Sequence, residues 1–136
     1  MTLKSKTIHI STHKRSEMVD ITDQVQSFVT ESGAKDGEIT VFCPHTTAAI
    51  TINENADPSV VHDVLTTLEE LIPQNRHNYQ HAEGNSDAHI KSSLVGCSEH
   101  ILVKNGQLVL GTWQGVYFCE FDGPRSRKAI LQIRSD

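Results

Sequence analysis

The chain has 136 residues, which suffices for one domain spanning 1–136 and is too short for two domains of ordinary size. Its net charge of −5, from 12 basic and 17 acidic residues, argues against a nucleic-acid-binding protein. No apolar run approaches the ~20 residues of a membrane span and no signal-peptide core is visible, so we expect a cytoplasmic protein without a membrane partner.

The first predicted elements are a strand and a helix. Isoleucines alternate with polar residues over 7–11, which predicts a half-buried strand. Apolar residues then recur with helical spacing over 21–29. We expect Thr22 to be the N-cap of this helix and Gly33 to lie at its C-terminal end.

The middle of the chain contains two predicted strands and the clearest helix. The strands span 38–42 and 49–53, and Pro44 predicts a bend between them. The helix spans 57–71, with Asp57 as its capping residue. Its apolar side chains are expected to form a buried stripe made of Val60, Val61, Val64, Leu65, Leu68 and Leu71.

A long polar loop and several strands complete the chain. Residues 74–87 show no apolar periodicity, and a short helix is expected over 87–94. Asn105 and Gly106 predict a two-residue hairpin turn. Further strands are predicted over 101–103, 108–110, 116–121 and 129–133. Together the elements predict an α+β fold, a mostly antiparallel β-sandwich-like domain with two main helices.

The long loop gathers side chains that bind metals. His81, Asp87 and His89 offer imidazole and carboxylate groups, the usual ligands of zinc and related divalent ions. A loop that turns at Gly84 into the following helix would bring the two histidines together. The alternative is a solvated polar loop whose histidines have no such role.

A second candidate lies at the bend between the two middle strands. His45, Thr46 and Thr47 would supply a ligand or phosphate contacts there, or the two hydroxyls would only satisfy backbone groups where the strand breaks. Glu54 ends the next strand and would point towards the same end, or it would be a solvated residue beside a helix cap.

Two further motifs flank the strand over 116–121. Trp113 and Gln114 lie between glycines, which suggests a substrate wall, although a lone Trp is commonly a core residue. Arg125 follows the turn at Asp122 and would grip a phosphate or carboxylate, or would pair with Asp122 as a structural lock.

The order of the motifs is more specific than any one of them. HTTAA, Tyr79-x-His81, the segment 85–96, GTWQ and DGPR together resemble the YjbQ family (UPF0047), from about Thr7 to the C-terminus. The resemblance implies a small α+β sandwich, a homotrimer, and the weak thiamine-phosphate synthase activity ascribed to some members.

The resemblance also implies a site. Metal ligands would be His45, His81 and His89, holding zinc or, as an alternative, magnesium. The catalytic residues implied are Glu54, Asp87, Gln114 and Arg125. The residues expected to bind a phosphate-bearing small molecule are Thr46, Thr47, Asn85, Lys91 and Trp113, of which the resemblance itself supplies Thr46 and Asn85.

Three functions compete at this stage. A synthase would join a pyrimidine pyrophosphate to a thiazole phosphate and release pyrophosphate, with Arg125 and Lys91 neutralising charge. The chain lacks a glycine-rich phosphate loop, which argues against phosphoryl chemistry as its evolved role. A metal-dependent hydrolase would use Glu54 or Asp87 as general base. The third is a trimeric module that binds a small molecule or a metal without turnover.

We expect a site shared between subunits, with His45, His81, His89 and Gln114 on one side of it. The strand over 116–121 is about 20 Å long, so Arg125 lies at the opposite end of that strand from Gln114. A neighbouring subunit would have to supply one of the two.

Overall fold

The computed structural model describes all 136 residues, whose backbone forms three helices and eight strands. In chain order the elements are β1 (Thr2–Ser11), β2 (Glu17–Asp20), α1 (Thr22–Ser32), β3 (Gly37–Phe42), β4 (Ala48–Glu54), α2 (Pro58–Leu71), α3 (Ser86–Val95), β5 (Ser98–Lys104), β6 (Gln107–Leu108), β7 (Gln114–Glu120) and β8 (Ser126–Ser135).

The strands form two antiparallel sheets that face each other. One sheet has the order β1-β8-β3-β5-β6 and the other the order β2-β7-β4. Their inner faces and the apolar side of α1 bury one core of 19 residues, among them Phe28, Val41, Ile50, Phe118 and Leu131. The predicted α+β, mostly antiparallel sandwich is therefore confirmed.

The outer face of the three-stranded sheet is covered by α2 and α3. A second cluster joins Ala49, Tyr117 and Cys119 of that sheet to Ala88 of α3, and partly buried residues of α2 pack against it. The predicted stripe of α2 does face this cluster, with Val61, Leu65 and Leu68 packed against it, but it is half-buried instead of buried, and Leu71 is 68% exposed. The helix rests on one layer only, so its apolar face is wider than the surface it contacts.

The local start and stop signals are mostly confirmed. Gly33 ends α1 in the left-handed conformation, with φ of 75°, and Asp57 caps α2 by accepting a hydrogen bond from the Ser59 N–H at 2.9 Å. The cap predicted at Thr22 is wrong. Its hydroxyl instead accepts the Val116 N–H at 2.8 Å, which ties the start of α1 to β7.

The outer face of the five-stranded sheet carries exposed and half-buried side chains. Leu102 on β5 is 58% exposed and Phe42 on β3 is 39% exposed. Separately, none of the three helices combines the length and the apolar character that crossing a membrane requires.

Two chain crossings between the sheets lie at the same end of the sandwich. Residues 43–47 connect β3 to β4, and residues 121–125 connect β7 to β8. Ala48 at the start of β4 pairs with Glu120 at the end of β7, so the crossings are neighbours. Side chains that leave the sheets at these crossings therefore share one space, which the start of α3 also borders.

Candidate functional site

A polar cleft of about 330 Å³ opens between the two crossings and the start of α3. None of the residues that line it is hydrophobic. They are Pro44, His45, Thr46, Thr47, Glu83, Asn85, His89, Asp122, Arg125 and Arg127. A second cavity of about 380 Å³ adjoins it, sharing His45, Thr46 and His89 and extending to Cys97.

Arg127 forms the buried floor of the polar cleft. Its guanidinium holds Glu120, with Nε donating to Oε1 at 2.9 Å and Nη2 donating to Oε2. Nη2 also donates to Oγ1 of Thr47 at 2.8 Å. Nη1 has no hydrogen-bond partner within the protein and is not fully buried. Its two N–H groups therefore remain free beside the cleft that Arg127 lines.

Glu120 is fully buried and ionised. Burial raises the pKa of this carboxyl, but hydrogen bonds from Arg127, Thr12 and the Asp122 N–H outweigh burial and hold the pKa below its ordinary value of 4.5. The Thr12 hydroxyl donates at 2.7 Å. The carboxylate therefore fixes the guanidinium of Arg127 in one orientation.

Asp122 organises the rim of the cleft. Its Oδ2 accepts from Arg125 Nη2 and from Asn85 Nδ2, each at 2.8 Å. Arg125 Nε donates to the Asp122 carbonyl at 2.8 Å, which holds this guanidinium against the turn. Asn85 is buried, and its Oδ1 has no hydrogen-bond partner.

His45 enters the cleft as a neutral imidazole. Burial and the nearby Arg127 charge lower its pKa below 6.5. Its Nε2 accepts the Lys128 backbone N–H at 3.1 Å, which assigns the ring proton to Nδ1. His45, which lines the cleft, therefore offers Nδ1–H as a hydrogen-bond donor and has no lone pair free for a metal ion.

The predicted set of three histidine ligands does not fit a zinc ion. His81 and His89 do come together, with ring centroids 5.3 Å apart, and Glu83 Oε2 lies 3.5 Å from His81 Nε2. His45 is excluded by its hydrogen bond to Lys128, and the chain contains no group of three His, Cys, Asp or Glu side chains arranged to hold a metal.

Asp87 and Lys91 lie in a separate buried ion-pair network. Asp87 accepts two bonds from Arg15, both at 2.9 Å, and one from Lys91 at 3.0 Å, and Lys91 also bonds Glu69 at 2.9 Å. Burial raises the pKa of Asp87, but Arg15 and Lys91 together hold it below 3.8. Both groups are buried against each other, so the structure encloses them in this network, and the general-base role of Asp87 and the substrate contact of Lys91 stay predictions.

Glu54, Trp113 and Gln114 lie at the far end of the three-stranded sheet. Glu54 pairs with Gln114 in the β4–β7 register, six positions from the Ala48–Glu120 pair, or about 20 Å along the strands. Trp113 is 62% exposed in the preceding turn, and Gln114 Oε1 accepts the Gly111 N–H. Within one chain, Gln114 therefore does not lie near His45 and His89, contrary to the expectation. Arg125 lines the cleft with the two histidines instead.

Sequence reasoning missed Arg127 and Glu120 as parts of the site. A signal was present for Arg127, because it shares the period-2 face of β8 with Ala129 and Leu131, which are buried. A charged residue on a buried strand face needs a partner. Glu120 supplies it from the buried end of β7.

Comparison with known proteins finds relatives of one kind. The family described as "UPF0047 protein YjbQ-like" matches residues 6–136. A UPF0047 protein of Methanocaldococcus jannaschii is 59% identical over 93% of this chain and 91% of its own length. The UPF0047 protein YugU of Bacillus subtilis is 54% identical over 94% of this chain and 97% of its own length.

Solved structures agree with this relationship. A crystal structure of a YjbQ/UPF0047 family protein from Clostridium acetobutylicum superimposes with a TM-score of 0.93 at 53% identity, covering 95% of this chain and 99% of that one. A YbjQ-like protein of unknown function from Sulfolobus solfataricus gives a TM-score of 0.95 at 36% identity, covering 99% of both chains.

Proposed function

The chain belongs to the UPF0047 protein YjbQ-like family, and we propose that its polar cleft binds a small molecule carrying a phosphate group. The observation that carries this proposal is the pair of free N–H groups on Arg127 Nη1 at the floor of a cleft without hydrophobic lining. The fork of Nε and Nη2 is taken by Glu120, and the remaining N–H groups of a guanidinium are charge-assisted donors that suit a phosphate oxygen.

Other donors support the same ligand. His45 and Thr46 both line the cleft and offer an Nδ1–H and a hydroxyl as donors. Glu120 and Asp122 balance the charges of the two arginines, so the cleft attracts its ligand through oriented N–H groups more than through net charge. Such preorganised donors lose little side-chain entropy when an oxyanion binds.

Calorimetric titration with inorganic phosphate and ethyl phosphate tests this proposal. We expect one saturable site per chain, and we expect Arg127→Lys to weaken binding by about tenfold or more, the effect of losing a charge-assisted hydrogen bond. Lysine retains a positive partner for Glu120 but lacks the free Nη1 groups. The matched control is Arg76→Lys, which changes an exposed arginine of a separate loop cavity and should leave the affinity unchanged.

Absence of saturable binding by the unmodified protein would refute the proposal, as would equal losses in the two variants. The titration is run on protein prepared without an affinity tag, with and without a chelator. A dependence on bound metal would then be visible as a loss of affinity in the chelator arm, accompanied by stoichiometric metal in elemental analysis.

Synthase activity is the second candidate for this cleft. The reaction expected from the family resemblance releases pyrophosphate, and the free guanidinium nitrogens of Arg125 and Arg127 suit a leaving group with that charge. Its distinguishing measurement is formation of thiamine phosphate from the pyrimidine pyrophosphate and the thiazole phosphate. The hydrolase alternative is less favoured, because Glu54 lies about 20 Å away along β4 and Asp87 is enclosed by cations.

A divalent metal stays part of the proposal only at the adjacent pair His81 and His89, with Glu83 as the nearest further oxygen ligand, since these side chains are not already arranged as a set of three ligands. The two imidazoles are adjacent and Glu83 is near one of them, which favours zinc over magnesium on ligand type. This ion would lie at the rim of the cleft through His89 and Glu83, beside the bound phosphate.

We also propose a cytoplasmic location, in keeping with the three free thiols of Cys43, Cys97 and Cys119.

Assembly into a homotrimer is supported by the uncovered face of the five-stranded sheet. Leu102 and Phe42 are exposed there although apolar side chains of this size are usually buried. Sedimentation equilibrium at micromolar concentration should give three times the chain mass of 15.1 kDa. Leu102→Arg should lower that mass, whereas Leu94→Arg, at an exposed leucine on α3, should not. A species of one chain mass in the unmodified protein would contradict trimer formation.

A further inference from the structure

The proposed phosphate contacts leave most of the second cavity, the one that extends to Cys97, without an occupant. Its volume of about 380 Å³ falls within the range of roughly 300–1,000 Å³ that is usual for small-molecule sites. It shares His45, Thr46 and His89 with the polar cleft, whereas Arg127 lines the polar cleft only. One small molecule can therefore occupy both spaces, with its phosphate on the arginine side.

His45 lies at the junction of the two spaces. Its Nε2 accepts the Lys128 N–H at 3.1 Å, and Lys128 directly follows Arg127 in the chain, so the imidazole lies beside the floor of the polar cleft. The same side chain lines the second cavity. A group bonded to a phosphate at Arg127 would therefore reach the second cavity by passing His45.

The wall that belongs to the second cavity alone has its hydrogen-bonding groups already paired. The hydroxyls of Ser92 and Ser93 each donate at 2.8 Å to the α3 carbonyl four residues earlier. Both backbone groups of Gly96 are paired within the protein. Ala48 and Cys97 contribute a methyl group and a thiol, which is a weak donor. This wall therefore offers a ligand no free side-chain donor stronger than a thiol, and it suits a group that binds by van der Waals packing.

We propose that the ligand is a phosphate monoester of a weakly polar organic group, an alkyl or aromatic group that occupies the second cavity while the phosphate binds at Arg127. This inference rests on the proposed phosphate site and adds the class of the esterified group. Free donors are available in the polar cleft, whereas the wall of the second cavity has few, so the two ends of the ligand differ in polarity in the same way. A sugar phosphate suits this arrangement less well, because its hydroxyls would exchange water for a wall with few free hydrogen-bonding groups.

Calorimetric titration with benzyl phosphate and methyl phosphate tests the class of the esterified group. Benzyl phosphate is methyl phosphate with a phenyl ring added, so the two probes differ in the ring alone. We expect benzyl phosphate to bind about tenfold or more tightly, because its ring leaves water for the second cavity. Ser93→Phe adds an aromatic side chain to the wall of that cavity and should bring the ratio of affinities close to one. Leu94→Phe, at the adjacent exposed position that does not line the cavity, is the matched control and should keep the ratio.

Alkylation of Cys97 by iodoacetamide locates the benzyl group. Cys97 is exposed and lines the second cavity, whereas Cys43 and Cys119 are buried. Burial raises the pKa of Cys43 to about 11 and that of Cys119 to about 12, so at a pH of about 8 both thiols stay protonated and react slowly. Saturating benzyl phosphate should slow the labelling of Cys97 several-fold, measured by mass spectrometry of the labelled peptide. Saturating inorganic phosphate should leave that rate nearly unchanged.

The outcomes separate this inference from the proposed function. Equal affinity of the unmodified protein for the two esters would overturn the inference while leaving the phosphate site in place, and that comparison needs no variant to fold. Equal protection of Cys97 by inorganic phosphate and by benzyl phosphate would overturn it too, as would a preference that survives in Ser93→Phe or one that both variants lose. Failure of every phosphate compound, inorganic phosphate included, would overturn the proposed function itself.

Discussion

Glu120→Ala is expected to lower the free energy of unfolding by about 3–5 kcal/mol, because it leaves the guanidinium of Arg127 buried without its counter-ion. Glu120 is fully buried and accepts from Arg127, Thr12 and the Asp122 N–H. The substitution also releases the crossing at 121–125, so the polar cleft loses its floor and part of its rim together. Urea unfolding of both proteins, with the circular dichroism signal as readout, measures the difference.

Two further variants make this result specific to the ion pair. Glu70→Ala removes an exposed glutamate without a partner and should change stability by less than about 0.5 kcal/mol. The double variant Glu120→Leu with Arg127→Met replaces the buried pair by apolar side chains and should recover most of the loss. A single variant as stable as the unmodified protein would show that the pair does not hold the crossings together.

Lowering the pH from about 6 to about 2 is expected to destabilise the fold steeply. Burial raises the pKa of Asp87 and of Glu120, but their cationic partners outweigh burial, so both folded-state pKa values lie below the ordinary values of 3.8 and 4.5. The unfolded chain therefore takes up these protons at a higher pH than the folded chain does. The stabilisation is complete above the unfolded values and is lost as the pH falls through the folded ones.

His45 contributes with the same sign in a higher range. Burial and the charge of Arg127 lower its pKa below 6.5, so the unfolded chain binds this proton first as the pH falls past 6.5. Urea unfolding at closely spaced pH values should show stability declining below about 6.5 and falling most steeply below about 4.5. Combining Asp87→Asn with Glu120→Gln should flatten the acid part of the curve. An unchanged acid slope in that variant would assign the loss to other carboxylates.

The features that the sequence could predict are mostly local ones, which depend on residues close together along the chain. Alternation and helical spacing identify the strands and the first two helices, because these periods follow from backbone geometry alone. Gly33, Asp57 and the Asn105–Gly106 turn stop or start elements through their own φ/ψ preferences and hydrogen bonds. The sandwich follows once each element must bury its apolar side.

The sequence could predict those site residues that lie on the two chain crossings. His45 and Thr46 lie on one crossing and Arg125 on the next, and both crossings meet because β4 and β7 are paired. Gln114 was predicted in the wrong place because its motif does not indicate which end of the strand borders the cleft. Strand length alone separates it from Arg125.

Only the tertiary structure decided the chemical state of the key side chains. The donor role of His45 depends on a backbone N–H that lies 83 residues away in the sequence, and the enclosure of Asp87 depends on Arg15, 72 residues away. The stripe of α2 has the pattern of a buried face, yet burial depends on what packs against it. The sequence therefore determined the secondary-structure elements and which motifs lie on the chain crossings. The protonation states, ion pairs and free donors arose from contacts between segments that are distant in sequence, because electrostatic interactions and hydrogen bonds depend on positions in space.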